Sequence, residues 1–315
     1  MFMNKNREKK LLLAPIKNIN RALLLSVILF LITGIVAGAA LFFSSISNKV
    51  SIFILEIATY AALGLPIIIF SRLKVNGSQD VMLPKFNLKT IRNGIICAVI
   101  AYPLMLTSVF LAKTMEINSE MTSDYMASAL TGFSFLENVI RIALLPAIVE
   151  ELVFRSGLFG VYSKKNVFVG IFLSATIFAL LHSNLYQIPY ALVGGIAFAY
   201  AAYLTDNTGT AFVAHFIINF ISIIISYVNR YIDKYSPEKA NSITGNITGL
   251  FMAGGVLMAG YLISRVLKKQ IIPKPINLKK ERLDISSFIT VSLAFVISIL
   301  LLLTFLYEGL MNITA

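Results

Sequence analysis

The stretch Ile142-Ala143-Leu144-Leu145-Pro146-Ala147-Ile148-Val149-Glu150-Glu151-Leu152-Val153-Phe154-Arg155-Ser156-Gly157-Leu158-Phe159-Gly160-Val161 sets two adjacent carboxylates and a guanidinium inside an otherwise apolar run. A run of about 20 such residues is long enough to span a bilayer as a helix. Charges at membrane depth are expensive and usually functional. This segment is therefore the expected active centre, and the rest of the chain is read outward from it.

The composition agrees with a membrane setting. Of 315 residues 57% are hydrophobic and 13% charged, and the mean hydropathy is +0.82. A soluble domain carries about 25% charged residues and has nowhere to hide so much apolar surface. The expected fold class is all-α, a polytopic transmembrane helical bundle. The net charge of +12 sits mostly in short connections between apolar runs. Membrane orientation explains it, and no basic domain for nucleic acid is left over. Cys97 is the single cysteine, so an intrachain disulfide and a Cys-based metal cluster are excluded.

Apolar runs cover residues 22–45, 51–71, 91–112, 138–161, 167–182, 187–204, 210–228, 246–267 and 287–307, about eight to nine spans. The basic segment 1–21 precedes the first run, which continues past the signal-peptide-like Ala37-Gly38-Ala39 to Phe43 and so reads as an uncleaved span. With the N-terminus cytoplasmic, Arg72, Lys74, Lys85, Lys89, Lys164, Lys165 and the basic cluster 268–282 fall inside, while Glu116, Glu120 and Asp124 fall outside. Residues 114–136 form the longest outer connection, with a short surface helix expected. Small residues at Gly194-Gly195, and from Gly245 to Gly249 and Ala253, suit close helix packing. The chain divides into 1–137 (basic tail and three spans), 138–228 (a core of four spans) and 229–315 (the C-terminal spans).

Within the core, Glu151 and Arg155 stand i,i+4 with the acid first, the favourable order for an ion pair on one helix face. Glu150 projects about 100° away, beside Pro146 and Phe154. An acid left over in a poorly solvated cavity suits a general base. Pro146 removes one backbone hydrogen bond and makes room nearby. The two histidines lie in Phe178-Ala179-Leu180-Leu181-His182 and His215-Phe216-Ile217-Ile218-Asn219. Asn219 shares a face with His215, where it orients the imidazole or lines the same pocket. Glu150, His182 and His215 from three helices can assemble a water-activating site, or hold a divalent metal such as zinc. Counted along its span, His182 comes out higher in the membrane than the other two, so the fifth helix must start outside the membrane or tilt strongly. Glu56, in the second span, reads as a packed, protonated acid with a hydroxyl partner.

The succession Glu150-Glu151-x-x-x-Arg155, Phe178-x-x-x-His182 and His215-x-x-x-Asn219 resembles the signature of the CPBP family of intramembrane proteases, the type 2 CAAX prenyl protease and bacteriocin-processing group also called Abi. The match covers roughly residues 138–228. The resemblance implies peptide-bond hydrolysis within the membrane, with water activated by Glu150 and His182, the oxyanion supported by His215 and Asn219, and Glu151 held by Arg155. Other intramembrane protease signatures are missing: His-Glu-x-x-His, Gly-x-Ser-x-Gly and Gly-x-Gly-Asp do not occur. The expected activity is endopeptidase action on a membrane-associated peptide or protein, in the cytoplasmic half of the cell membrane, with a zinc ion as candidate cofactor. The rival readings are a non-catalytic immunity or chaperone-like partner, and a transporter using Glu56, Glu150 and the histidines as a proton relay.

Overall fold

A computed structural model describes residues 5–43, 49–72, 81–114, 129–182 and 187–235, with 249–250, 253–258 and 261. All regular structure among the described residues is helical. Seven helices correspond to the first seven apolar runs. They are α1 (Lys5–Phe43), α2 (Lys49–Arg72), α3 (Leu88–Thr114), α4 (135–162), α5 (Val167–Leu181), α6 (Gln187–Thr205) and α7 (Thr208–Tyr235). Residues 249–250, 253–258 and 261 are helical too and fall in the eighth run. The ninth run, residues 115–128 of the surface-helix expectation for 114–136, and most of the small-residue row from Gly245 lie outside the described residues.

Helices α1, α2, α3, α6 and α7 are each long and apolar enough to cross a membrane. Their outward faces carry large apolar side chains such as Ile35, Ile54, Val99 and Leu204. That distribution suits contact with lipid, where the helical backbone satisfies its own polar groups. The basic segment 1–21 is helical from Lys5 rather than a separate tail. Lysine, arginine and leucine are good helix formers, and the helix carries Pro15 in its interior without ending there. At 1.5 Å per residue its 39 residues reach about 58 Å, well beyond a hydrocarbon core of about 30 Å.

Helix α4 is the central element, packed against α1, α2, α5, α6 and α7. Its start is fixed by a reciprocal cap: Glu137 N–H donates to Ser134 Oγ, and the Ser134 N–H to the Glu137 carboxylate. Beyond it the helix is not uniform. Wide π-helical turns occupy Val139–Leu144 and Leu152–Phe159, either side of an ordinary α segment at Leu145–Glu151. Such turns are uncommon and cluster at functional sites.

The two larger apolar clusters pack against α4. One joins Leu23 and Val27 of α1, Ile67 of α2, Phe154 and Leu158 of α4 and Ile177 and Phe178 of α5. The other joins Tyr102 and Met105 of α3, Phe159 of α4, Phe198 and Ala202 of α6 and Ala214 and Ile218 of α7. The expected close packing at Gly194-Gly195 is present. A Cβ on Gly194 would stand 2.7 Å from Met105 Cε, and one on Gly195 3.0 Å from the Ala175 backbone. At the α6–α7 turn Asp206 takes φ 49°, a left-handed helix end. There Asn207 ties the turn to the segment before α3, accepting from Lys85 N and donating to Lys85 O, both at 2.8 Å.

Candidate active site

The side chains singled out in the sequence meet around one cavity of about 510 Å³. Glu150, His182, His215 and Asn219 line it, while Glu151 and Arg155 stand behind the wall, buried. Pro146 and Phe154 share the lining with Glu150, as their common helix face predicts.

The Glu151–Arg155 pair forms as the i,i+4 spacing predicts, with Arg155 Nη1 2.9 Å from Glu151 Oε1 and both side chains almost fully buried. Arg155 also donates through Nη2 to Gly195 O at 3.2 Å. Its guanidinium lies over the rings of Phe178 and Phe198, 4.4 and 5.3 Å from their centroids. Those π faces help to accommodate a cation that water does not reach. Glycine at 195 is what admits this arrangement, because a Cβ there would sit 3.2 Å from Arg155 Nη2. Glu151 Oε2 and Arg155 Nε find no hydrogen-bond partner among the described residues.

Sequence reasoning gave Glu151 one partner, and it has two. His215 Nδ1 lies 2.8 Å from the same Oε1. A carboxylate only accepts, so Nδ1 carries the proton and Nε2 is the nitrogen turned toward Glu150, 3.7 Å from its Oε2. Phe198 stacks on the imidazole at 5.2 Å, and Phe178 meets it edge-on at 5.9 Å. His215 is thus oriented by Glu151 and two aromatic rings rather than by Asn219. The amide of Asn219 instead donates through Nδ2 to Ile142 O at 3.2 Å. That oxygen is the one an N–H at position 146 would take in an α-helix, and proline has none to give. The second Asn219 amide hydrogen and its oxygen remain for the cavity.

His182 closes α5, with Nδ1 2.9 Å from Phe178 O. A carbonyl only accepts, so here too Nδ1 bears the proton and Nε2 keeps its lone pair. His182 stands at the far end of its helix and still lines the cavity shared with Glu150 and His215. Asn166 caps α5 sharply by accepting from Phe168 N and Val169 N, so the helix begins at Val167 and His182 is about 22 Å along it.

Two further charges line the cavity. Glu56 is not a protonated acid with a hydroxyl partner. It forms a two-pronged ion pair with Arg141 of α4, Nε to Oε2 at 2.7 Å and Nη2 to Oε1 at 2.5 Å. Arg141 was missed although it lies in the same apolar run as Glu150. A charge-by-charge match of depths would have paired it, since Glu56 and Arg141 both lie close to the outer ends of their spans under the N-in orientation. Tyr102, Tyr190 and Ser222 also line the cavity, and none has a signature in sequence.

A zinc ion needs three or more protein ligands at about 2.0–2.3 Å. Among the described residues no group of three His, Cys, Asp or Glu side chains is placed to hold a metal. The candidate set Glu150, His182 and His215 as arranged here does not fit one, and the water-activation scheme below uses protein groups alone.

Fold and site together define an all-helical membrane protein whose core holds a largely apolar cavity carrying carboxylate and imidazole groups. Residues 132–221 match the family model described as type II CAAX prenyl endopeptidase, Rce1-like, the same family that the three motifs resemble. The matched segment runs from just before α4 into α7 and contains all seven motif residues. The match supports a CAAX-type intramembrane endopeptidase in general. No curated protein and no solved structure matches the chain.

Proposed function

We propose that the protein is an intramembrane endopeptidase that hydrolyses a peptide bond of a membrane-associated peptide or protein, with Glu150 as general base. The observation that carries this reading is the charge arrangement. Three carboxylates and two guanidiniums gather at the cavity, and Glu151–Arg155 and Glu56–Arg141 cancel as pairs. Glu150 is left over, facing His215 Nε2 across 3.7 Å, too far for a direct hydrogen bond and wide enough for a shared water.

Water held by Glu150 and the His182 Nε2 lone pair gives one proton to the Glu150 carboxylate as its oxygen attacks the scissile carbonyl. The oxyanion takes a hydrogen bond from the Asn219 amide, with the His215 ring beside it held in place by Glu151. Glu150 then passes its proton to the departing amine nitrogen as the C–N bond breaks. Arg155 contributes indirectly: it fixes Glu151, which fixes the His215 ring.

Comparison of peptide termini in membranes and medium from cells carrying the wild type or Glu150→Gln tests the reading. The expected result is a terminus present only with the wild type, and its sequence names the substrate. Identical termini, with any cellular effect of the protein retained by Glu150→Gln, would establish the non-catalytic partner instead.

A further inference from the structure

Residues 81–87 form a non-helical strap leading into α3, and the hydrolytic scheme makes no use of it. Its inner side is held by the two helices that carry Glu151 and His215. Met82 N donates to Ser156 O of α4 at 3.1 Å, and Thr208 Oγ1 of α7 donates to Met82 O at 3.2 Å. Asn207 bonds both the N–H and the C=O of Lys85. A Cβ on Gly209 would lie 2.5 Å from Lys85 O, so glycine there is what lets the strap lie against α7. Phe86 meets Phe212 edge-on at 5.2 Å.

The outer side of the strap is a mixture that suits neither water nor hydrocarbon alone. Leu83, Phe86 and Leu88 are 45%, 58% and 85% exposed. Lys85, Lys89 and Arg92 are exposed among them. Within the strap, the first turns of α3 and the α6–α7 turn, Asp206 is the one acid among the described residues. The membrane-spanning part of α3 starts at Leu88, and its exposed apolar face continues through Ile91, Ile95 and Val99. The strap therefore lies where hydrocarbon gives way to headgroups. Topology alone accounts for cations in such a connection, but not for three large apolar side chains exposed between them.

We infer that residues 83–92 are a docking surface for anionic phospholipid. Lys85, Lys89 and Arg92 meet headgroup phosphates, and Leu83, Phe86 and Leu88 seat in the glycerol and upper acyl layer. Basic side chains reach outward to phosphate while their methylene stems cover apolar surface, and this pairing of charge with apolar area is what binds a lipid interface. Ser156 follows Arg155, and Phe212 precedes His215 by less than a turn. A strap held by lipid thus steadies the ends of the two helices that meet at Glu151 and His215. Headgroup binding of this kind requires no peptidase activity.

The test titrates full-length protein in a neutral detergent with short-chain phosphatidylglycerol or phosphatidylcholine, read by native mass spectrometry and by melting. Each cation near an anionic surface contributes about a fivefold factor. The wild type should therefore prefer phosphatidylglycerol by roughly ten- to hundredfold, melt later when it is bound, and lose much of the preference in added salt. Lys85→Gln/Lys89→Gln/Arg92→Gln changes exposed positions, which spares the fold, and should lower phosphatidylglycerol affinity about tenfold or more. Arg21→Gln/Lys164→Gln/Lys165→Gln removes the same charge outside the strap, at the same end of the bundle, where Tyr162 Oη donates to Asn20. It should keep the preference. Equal affinity of the wild type for the two lipids overturns the assignment, as does a preference kept by the strap variant or lost equally in the second variant. Glycerol phosphate binding as tightly as phosphatidylglycerol would mark a site for free phosphate and overturn it as well.

Discussion

The cavity is bounded by two carboxylate–guanidinium pairs that differ in nearly every respect. Glu151–Arg155 lies within one helix, four residues apart, and is sealed from solvent. Glu56–Arg141 bridges two helices, joins residues 85 apart, and leaves its acid a third exposed. A sealed pair must be kept whole, because either charge alone would be stranded, and so it serves as a fixed frame for His215. A pair open to a wet cavity can exchange a partner at little cost. The difference shows that a buried ion pair's role depends less on its length than on whether water can reach one of its members.

The largest effect expected concerns the sealed pair. Arg155→Met leaves Glu151 uncompensated and should lower stability by about 3–5 kcal/mol, seen as reduced yield and an earlier melt in detergent. If the melt is unchanged, the frame reading is wrong. Glu150→Gln should cut cleavage by roughly 10²- to 10⁴-fold with no change in melting, because Glu150 belongs to neither pair. A lower melting temperature instead would move Glu150 into the structural class. At the open pair, Arg141→Met should cost less than Arg155→Met, about 1–3 kcal/mol, and Glu56→Met/Arg141→Met should recover most of it. Equal losses at Arg155 and Arg141 would erase the contrast.

The smallest effect is on the exposed rim. Lys49 and the Ser134 cap hold the Glu137 carboxyl down at about 2, from an ordinary value of 4.5. A depressed acid contributes fully above 4.5, and its contribution disappears as pH falls through about 2. Glu137→Gln should therefore shift the melt slightly at neutral pH and not at all near pH 2. Added salt should shrink even the neutral-pH shift.

How much of this was legible follows from the same contrast. Glu151–Arg155 could be read because i,i+4 geometry needs nothing beyond the helix. His182, His215 and Asn219 were found as residue types at helical spacing on successive spans. Their meeting with Glu150 depended on helix packing that no local pattern encodes. Glu151's second partner, His215, was hidden because it depends on how α7 is rotated against α4. Arg141 was hidden twice over. Its partner is 85 residues away, and at about 100° per residue nine positions separate it from Glu150 by about half a turn. Ordinary helical phasing thus points it away from the cavity that it lines.

The wide turns at Val139–Leu144 explain how that phasing is broken. By closing each hydrogen-bonded loop with an extra residue they underwind the backbone between Arg141 and Glu150, so that both face inward. One surplus position in the thread thus keeps the upper and lower halves of α4 in step. Shortening 139–144 by a single residue would swivel the upper half about a third of a turn, carry Arg141 off Glu56 and leave the lower half seated.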